Sequence, residues 1–571
     1  MAKQEAPVSQ LVSMIERGQI RLPEMQRKYV WKSKKVRDLL DSLYRGYPSG
    51  TILLWEPDET VALTDFSVKT EDASAFKPLL LLDGQQRLTS LSSVLRGEPV
   101  TVRRRKRPIE ILFNLEHPED PPTSIDEDDE EDDDVFESDE IETNEDSIGE
   151  IQQQMTFVVS SSKLAASPTW VSVSEIFKES SDKTFLTRAG VESFQDPRYD
   201  KYSERLKKVR SIRDYVYRMD VLESNLSYEE VTEIFVRVNS LGAKLRGSDL
   251  ALAQITAKWR NSLAIFEGFQ AICKNEHNFD LEVGTILRGM ITHATGQSRF
   301  KTVGSIHIKT LKESWEQNVR AITFALNFLK SNIRIDSPAL LTSPYIILVV
   351  AYWGAKNKYK IDSKEEKLMK RWILTANAKG RFARGSSESI LNQDLSALSE
   401  GGNSSALLEK LSIQVGRLDI TTAELIGRNA QSGIFKTMFL AFRADGAKDW
   451  NTNLEISINH SGKQDKLQFH HIFPTAFMKK KAKDLDLPST EDIANLAFIG
   501  GKTNREISDK APADYLKPLL AGPNREQLEK QAIPTDLEML KPESFDRFLK
   551  LRREMIIERL NIFLGATTSQ K

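Results

Sequence analysis

The sequence predicts an α+β multidomain protein, and three observations carry that expectation. Its 571 residues exceed what one hydrophobic core usually serves. Short apolar runs flanked by turn residues crowd the first part of the chain and return near its C-terminal end, as strands do. Between them, residues 203–440 repeat apolar side chains at helical spacing. The expected organisation is an α/β domain over 1–202 with an acidic insertion at about 118–150, a helical domain over 203–440, and a mixed domain over 441–571.

Each element follows from local sequence. GTILLWE (50–56), PLLLLD (78–83) and PIEILFNL (108–115) are apolar runs of strand length beside turn residues. KKVRDLLDSLYRG, before the first of them, reads as a helix ending at its glycine. From Asp126 to Asp146 the chain reads DEDDEEDDDVFESDEIETNED, with 15 acidic residues and no basic one. Such a run buries too little apolar surface to offset its ordering entropy, so a disordered insertion is expected. MTFVVS and TWVSVSEIF resume the α/β character. SERLKKVRSIRDYVYRM, YEEVTEIFVRVN, SDLALAQITAKWRNSLAIFEGF, SWEQNVRAITFALNFLKSN and EEKLMKRWILTANAK then follow at helical spacing. KLQFHHIF and ANLAFIG are strand-like pieces of the C-terminal region.

Composition narrows the class. A single cysteine, Cys273, excludes an internal disulfide framework and a cysteine-rich zinc site, and fits a reducing compartment. The opening MAKQEAPVSQ lacks the pattern of a signal peptide, and YIILVVAYW (345–353) is too short to span a bilayer. A cytoplasmic protein without membrane association is expected. The net charge of −2 hides an asymmetry: without the acidic run, 80 basic residues face 67 acidic ones, a balance of +13. A basic folded part suits phosphate backbones, although an acidic loop that merely aids solubility would leave the same balance.

Two of the seven histidines stand side by side in LQFHHIFPTAF, as His470 and His471. Neighbours on a regular strand face opposite ways, so both serve one site only where the strand ends, and Pro474 supports an ending there. Asn495 and Asn504 follow in ANLAFIGGKTNREIS, separated by a strand-like piece, a glycine turn and a helix opening. GGKT (500–503) ends like a P-loop, but that motif's first glycine would fall at Leu496, so it reads as a turn. A histidine pair alone fits a packed core or a surface equally well. Together with both asparagines it resembles the HNH nuclease motif, a ββα unit clasping one metal ion. The resemblance implies His470 as metal ligand, His471 as general base, Asn495 as the residue orienting that base, and Asn504 as the second metal ligand. Many members carry Asp where His470 stands; a nitrogen ligand extends the choice from Mg²⁺ or Mn²⁺ to Ni²⁺ or Zn²⁺. An imidazole, mostly neutral at pH 7, suits proton abstraction from water.

KPLLLLDGQQRLTSLSSVL runs from a strand through Asp83 and Gly84 into a helix. Free N–H groups at a helix start suit phosphate. Asp83 is placed to hold a hydrated Mg²⁺ or simply to cap the helix, Gln85 and Gln86 to bond a base or ribose, and Arg87 to pair with phosphate. DGQQR, with LPEMQRKYVW (22–31), GYPSGTILLWE (46–56) and FVRVNSLGAKLRGSDLALA (235–253), resembles the ParB/sulfiredoxin-like domain of the GmrSD family of modification-dependent (type IV) restriction enzymes. In fused members an HNH domain stands at the C-terminus, the order seen here. The resemblance implies a nucleotide site of Asp83, Gly84, Gln85, Gln86, Arg87, Gln26 and Arg27, with Asn239 and Gly242 nearby. Tyr29 and Trp31 are candidates for stacking on a base or for the core. The basic stretches Arg103, Arg104, Arg105 and Lys106, and Arg381 with Arg384, are candidates for tracking a DNA backbone or for solvated surface.

The expected protein is thus a ParB/sulfiredoxin-like domain, a helical middle and a ββα-metal (HNH) domain within helices. Its expected function is nucleotide-regulated cleavage of modified phage or host DNA in antiviral defence. A divalent metal and an NTP (GTP, UTP, CTP or ATP) are the implied cofactors, and a homodimer is one expected assembly. Two other readings stay open: a non-cleaving, nucleotide-switched DNA-binding protein, and an RNA-directed HNH toxin.

Overall fold

The computed structural model describes residues 2–23, 31–57, 63–64, 78–102, 108–121, 154–241, 247–460, 464–481 and 488–565. The acidic run at 126–146 lies outside the described residues. The described chain gathers into two compact units. One runs to Glu267 and takes in Phe300–Ile308; the other holds Gly268–Arg299 and the chain from Lys309 onward. The helical stretch 203–440 therefore contributes to both.

The first unit contains β1 (Ala2–Pro7), α1 (Val8–Glu16), β2 (Ile20–Pro23), α2 (Ser33–Arg45), β3 (Ile52–Trp55), β4 (Leu63–Thr64), β5 (Leu79–Asp83) and α3 (Gln85–Leu95). Then come β6 (Ile111–Asn114), β7 (Phe157–Val159), β8 (Trp170–Ser172), β9 (Val216–Leu222) and α4 (Tyr228–Leu241), with shorter helices between. Six strands form a mixed sheet in the order β1-β9-β3-β5-β2-β4, and a second sheet runs β7-β6-β8.

The run of four leucines in β5 follows from burial on both faces of the sheet. Alternate side chains point oppositely. Leu81 enters one core with Leu11 of α1, Leu40 of α2 and Leu88 of α3. Leu80 and Leu82 enter another with Trp55 and with Tyr228, Val231 and Phe235 of α4. β5 pairs parallel with β2 and antiparallel with β3, so both its edges are filled as well. A central strand of this kind reads as continuous apolar sequence rather than alternation. Truncating Leu81 to alanine would cost about 2–5 kcal/mol.

The second unit is helical around one strand pair. Its α5 (Tyr345–Lys356) is buried from Ile346 through Gly354, which explains why it is apolar on every side. α6 (Gly433–Ala444) precedes β10 (Leu467–His471) and β11 (Leu496–Gly500), which pair antiparallel. α7 (Gly501–Ile507) leaves β11 directly, and α8 (Pro512–Ala521) and α9 (Phe545–Phe563) follow. Phe435, Phe439 and Phe442 of α6 surround Phe498 of β11. Phe545 and Phe548 of α9 enclose Phe473, just beyond β10. The Gln531 carboxamide completes β11 by accepting from Phe498 N–H at 2.8 Å and donating to Phe498 O at 2.9 Å. Among the described residues, no helix is long and apolar enough to cross a membrane.

Candidate active site

The histidine pair closes β10. His470 lies opposite Ala497 and His471 opposite Leu496. The pleat turns them apart: His470 is 3% exposed, while His471 stays partly open to solvent. His470 Nδ1 lies 2.9 Å from Asn504 Oδ1 of α7, and its Nε2 lies 3.2 Å from the Tyr515 hydroxyl of α8. Trp450 and Tyr515 both meet the imidazole edge to face. Burial pushes the His470 pKa down to about 4, against the hydrogen bond from the Asn504 side. The ring is therefore neutral at physiological pH, the state a metal ligand requires.

His471 turns the other way. Its Nε2 stands 3.3 Å from Glu491 Oε2, so a carboxylate is placed to accept the ring's N–H. Asn495 does not reach this ring. Its Oδ1 accepts from Phe473 N–H at 2.9 Å, and its Nδ2 donates to Phe473 O at 3.1 Å and Thr490 O at 2.9 Å. It ties the turn after the histidine pair to the segment that carries Glu491, so its hold on His471 runs through the backbone.

Four buried charges lock this frame. Asp449 Oδ2 accepts from Gly500 N–H at 2.6 Å, and its Oδ1 accepts from the Thr503 hydroxyl at 2.7 Å and from Thr452 N–H at 2.7 Å. Burial raises its carboxyl, but these donors outweigh it and hold the pKa below the ordinary value. The Arg552 guanidinium, from α9, donates to Ala494 O, Leu496 O, Gln531 O and Ala532 O. Arg553 pairs with Asp492 at 2.6 Å, and Asp492 in turn caps the short turn ending at Asn495.

In the first unit, Asp83 ends β5 and Gly84 turns into α3 with φ of +103°. A Cβ at Gly84 would meet Ile52 Cδ1 at 2.5 Å, so the turn requires glycine. Arg87 is held within the protein: it donates to Ser49 O at 2.5 Å, Thr51 O at 2.7 Å and Asp83 Oδ2 at 3.0 Å. GYPSG and DGQQR thus meet in space, with Arg87 shaping the 49–51 loop. Gln86 Oε1 accepts from Trp31 N–H at 3.2 Å, and Gln85 is buried. Trp31 is partly buried and packs against the core cluster.

Several expected residues fall elsewhere. Gln26, Arg27, Tyr29, Arg103, Arg104, Arg105, Lys106, Gly242 and the side chain of Asn239 lie outside the described residues. Arg381 is a correction. It is 1% exposed, with Nε and Nη2 on the two oxygens of Asp394 at 2.7 and 2.5 Å and Nη1 on Gln414, so it cannot track a DNA backbone. Arg384 is exposed and donates to Lys379 O. Glu491, Tyr515, Asp449 and Arg552 were not singled out by sequence. Only Asp449 left a local signal, an Asp whose carboxylate accepts the N–H groups two and three residues on, as Asx-turns do.

Comparison with known proteins finds a similarity for part of this chain. Residues 8–256 match the family described as the GmrSD restriction endonuclease, N-terminal domain. An uncharacterized protein of Methanocaldococcus jannaschii is 24% identical over 626 aligned positions, covering 96% of this chain and 97% of that protein. The histidine pair and its asparagines lie outside the matched N-terminal segment.

Proposed function

We propose that this chain is a nucleotide-regulated, modification-dependent DNA endonuclease. NTP hydrolysis would belong to its ParB/sulfiredoxin-like N-terminal domain and phosphodiester hydrolysis to an HNH site at its C-terminal end. The approach of His470 to Asn504 on a strand pair running into a helix supports this reading most directly, with the solvent-reachable His471 beside it in sequence but on the strand's other face. The similarity of residues 8–256 to the GmrSD N-terminal domain supports its restriction side.

The residues fit a divalent ion. His470 offers a neutral nitrogen and Asn504 a carbonyl oxygen. Among the described residues no group of three His, Cys, Asp or Glu is placed to hold a metal, so His470 and Asn504 are the residues that would hold one here. Such an ion, when bound, would supply polarisation of the scissile phosphate and stabilisation of the leaving oxygen. His471 takes the proton from the attacking water, with Glu491 accepting the N–H of the opposite ring nitrogen. Asn495 keeps the turn that presents His471. At the N-terminal site Asp83, the Gly84 turn, Gln85 and Gln86 are the proposed contacts of the nucleotide, with Arg87 acting through the loop it holds.

The test is digestion of modified and unmodified phage DNA side by side, with Mg²⁺ or Mn²⁺ and each of GTP, UTP, CTP and ATP. Cleavage confined to modified DNA plus one nucleotide, and lost in His471→Ala, is expected. A His471→Ala protein that cuts as well as the wild type would overturn the catalytic assignment.

A further inference from the structure

The proton accounting around His470 points beyond the choice of ligands to the choice of nitrogen. The Tyr515 hydroxyl donates to Ile472 O at 2.8 Å inside the protein. A phenol has one proton. A hydroxyl oxygen and a carbonyl oxygen that close repel unless the proton lies between them. With that proton committed, the same oxygen, 3.2 Å from His470 Nε2, can only accept there. The neutral ring's single proton then sits on Nε2, and Nδ1 is left as a bare lone pair 2.9 Å from the Asn504 carboxamide.

The opposite tautomer would let Nδ1–H donate to Asn504 Oδ1, but one phenol proton would then have to serve both Nε2 and Ile472 O. The two arrangements differ in which side must give. Ile472 is pinned by its own N–H on Asn495 O at 2.8 Å, and Tyr515 is buried beside Trp450. Asn504 is only partly buried, and a carboxamide turns over about its last bond. The adjustable side is Asn504, so the fixed side decides the tautomer. A histidine, unlike a carboxylate, has only one nitrogen able to bind a cation at a time, so a ligand of this type needs such a partner.

We propose that Tyr515 sets the tautomer of His470, keeping the proton on Nε2 and presenting Nδ1, beside the Asn504 oxygen, as the metal-binding nitrogen. The inference rests on the reading of His470 as a metal ligand. It makes Tyr515 a positioning residue that never touches substrate.

Two measurements on the full chain test it. Calorimetric titration with Mn²⁺ alone compares wild type, His470→Ala and Tyr515→Phe. Wild type should bind, His470→Ala should not, and Tyr515→Phe should bind about 10–100-fold more weakly, the usual cost of losing such an outer partner. Ring-¹⁵N spectra of the metal-free wild type, with His470 assigned by its loss in His470→Ala, should show a protonated Nε2 and a bare Nδ1. If wild type and His470→Ala bind Mn²⁺ equally, or neither binds, the ligand reading itself fails. If His470 is required but Tyr515→Phe binds like the wild type, or the spectrum shows the proton on Nδ1, the Tyr515 inference fails while the ligand reading stands. The spectrum needs no Tyr515 variant, so a misfolded Tyr515→Phe protein would not shield the inference.

Discussion

Asn495 holds Phe473 by both ends of its peptide unit, accepting from its N–H at 2.9 Å and donating to its carbonyl at 3.1 Å. The carboxamide imitates one more residue of sheet at the point where β10 has ended, and so fixes the exit of the histidine pair. Asn495→Ala leaves a buried N–H and two buried carbonyls without this partner, a loss of about 1–3 kcal/mol or more. Urea melts should show that loss. DNA cleavage should fall even in the fraction that remains folded, although the side chain does not touch the imidazole.

Glu491 and His471 make a second, separable prediction. An exposed carboxylate on an imidazole N–H contributes roughly 1 kcal/mol, so Glu491→Gln should lower kcat about 3- to 10-fold with KM unchanged. His471→Ala should lower it by about 10²–10⁴-fold. Steady-state cleavage of one DNA substrate by both variants checks the ordering; equal losses would remove Glu491 from the role.

The N-terminal turn predicts a backbone effect. Gly50 has φ of +92°, and a Cβ there would meet Arg87 Nη1 at 2.4 Å. Gly50→Ala should therefore cost about 1–3 kcal/mol and release the Arg87 contacts. Nucleotide-stimulated cleavage should be lost while Mn²⁺ binding near His470 persists, which calorimetry can follow.

His117 supplies the pH dependence. It is 6% exposed, between the Tyr44 hydroxyl and Pro118 O. Burial pushes its pKa down to about 4; the Pro118 hydrogen bond opposes this, and Arg205 and Lys208 add to it. The unfolded chain takes up this proton near pH 6.5 and the folded chain only near pH 4, so the unfolded state binds more protons in between. Stability is therefore full above about pH 6.5, falls as pH drops toward about 4, and levels off below. The total is on the order of 3 kcal/mol. Comparing pH-dependent melts of His117→Gln with wild type should isolate that slope.

Arg381 offers a prediction that separates structure from DNA contact. Burial raises the Asp394 carboxyl even with Arg381 beside it. Arg381→Ala would strand that carboxylate, costing about 3–5 kcal/mol. A residue on a DNA surface would instead leave the melting temperature unchanged and flatten the salt dependence of binding.

How far these features were legible in the sequence depends on the range of the signal. The four leucines of β5 were legible as a strand because a continuous apolar run of that length beside turn residues is a local signal. The histidine pair and its asparagines were legible as residue types in a fixed order, and the structure brings His470 to Asn504 across 34 positions of chain. Tyr515 was not, because nothing near it distinguishes a tyrosine that fills a core from one that also orders a proton. Arg381 misled: a basic cluster gives charge but not the face on which each side chain lies. Its partner, Asp394 on another helix, is known only once the chain has folded.

Arg552 is the last-synthesised part of the clamp on β11, since α9 follows the histidines, both asparagines and Tyr515 in the chain. A nascent polypeptide still emerging from the ribosome, or one cut short by a premature stop before α9, would carry every group proposed for hydrolysis yet lack the guanidinium that gathers the carbonyls of Ala494 and Leu496. Under the function proposed above, unfinished copies are expected to lack cleavage activity.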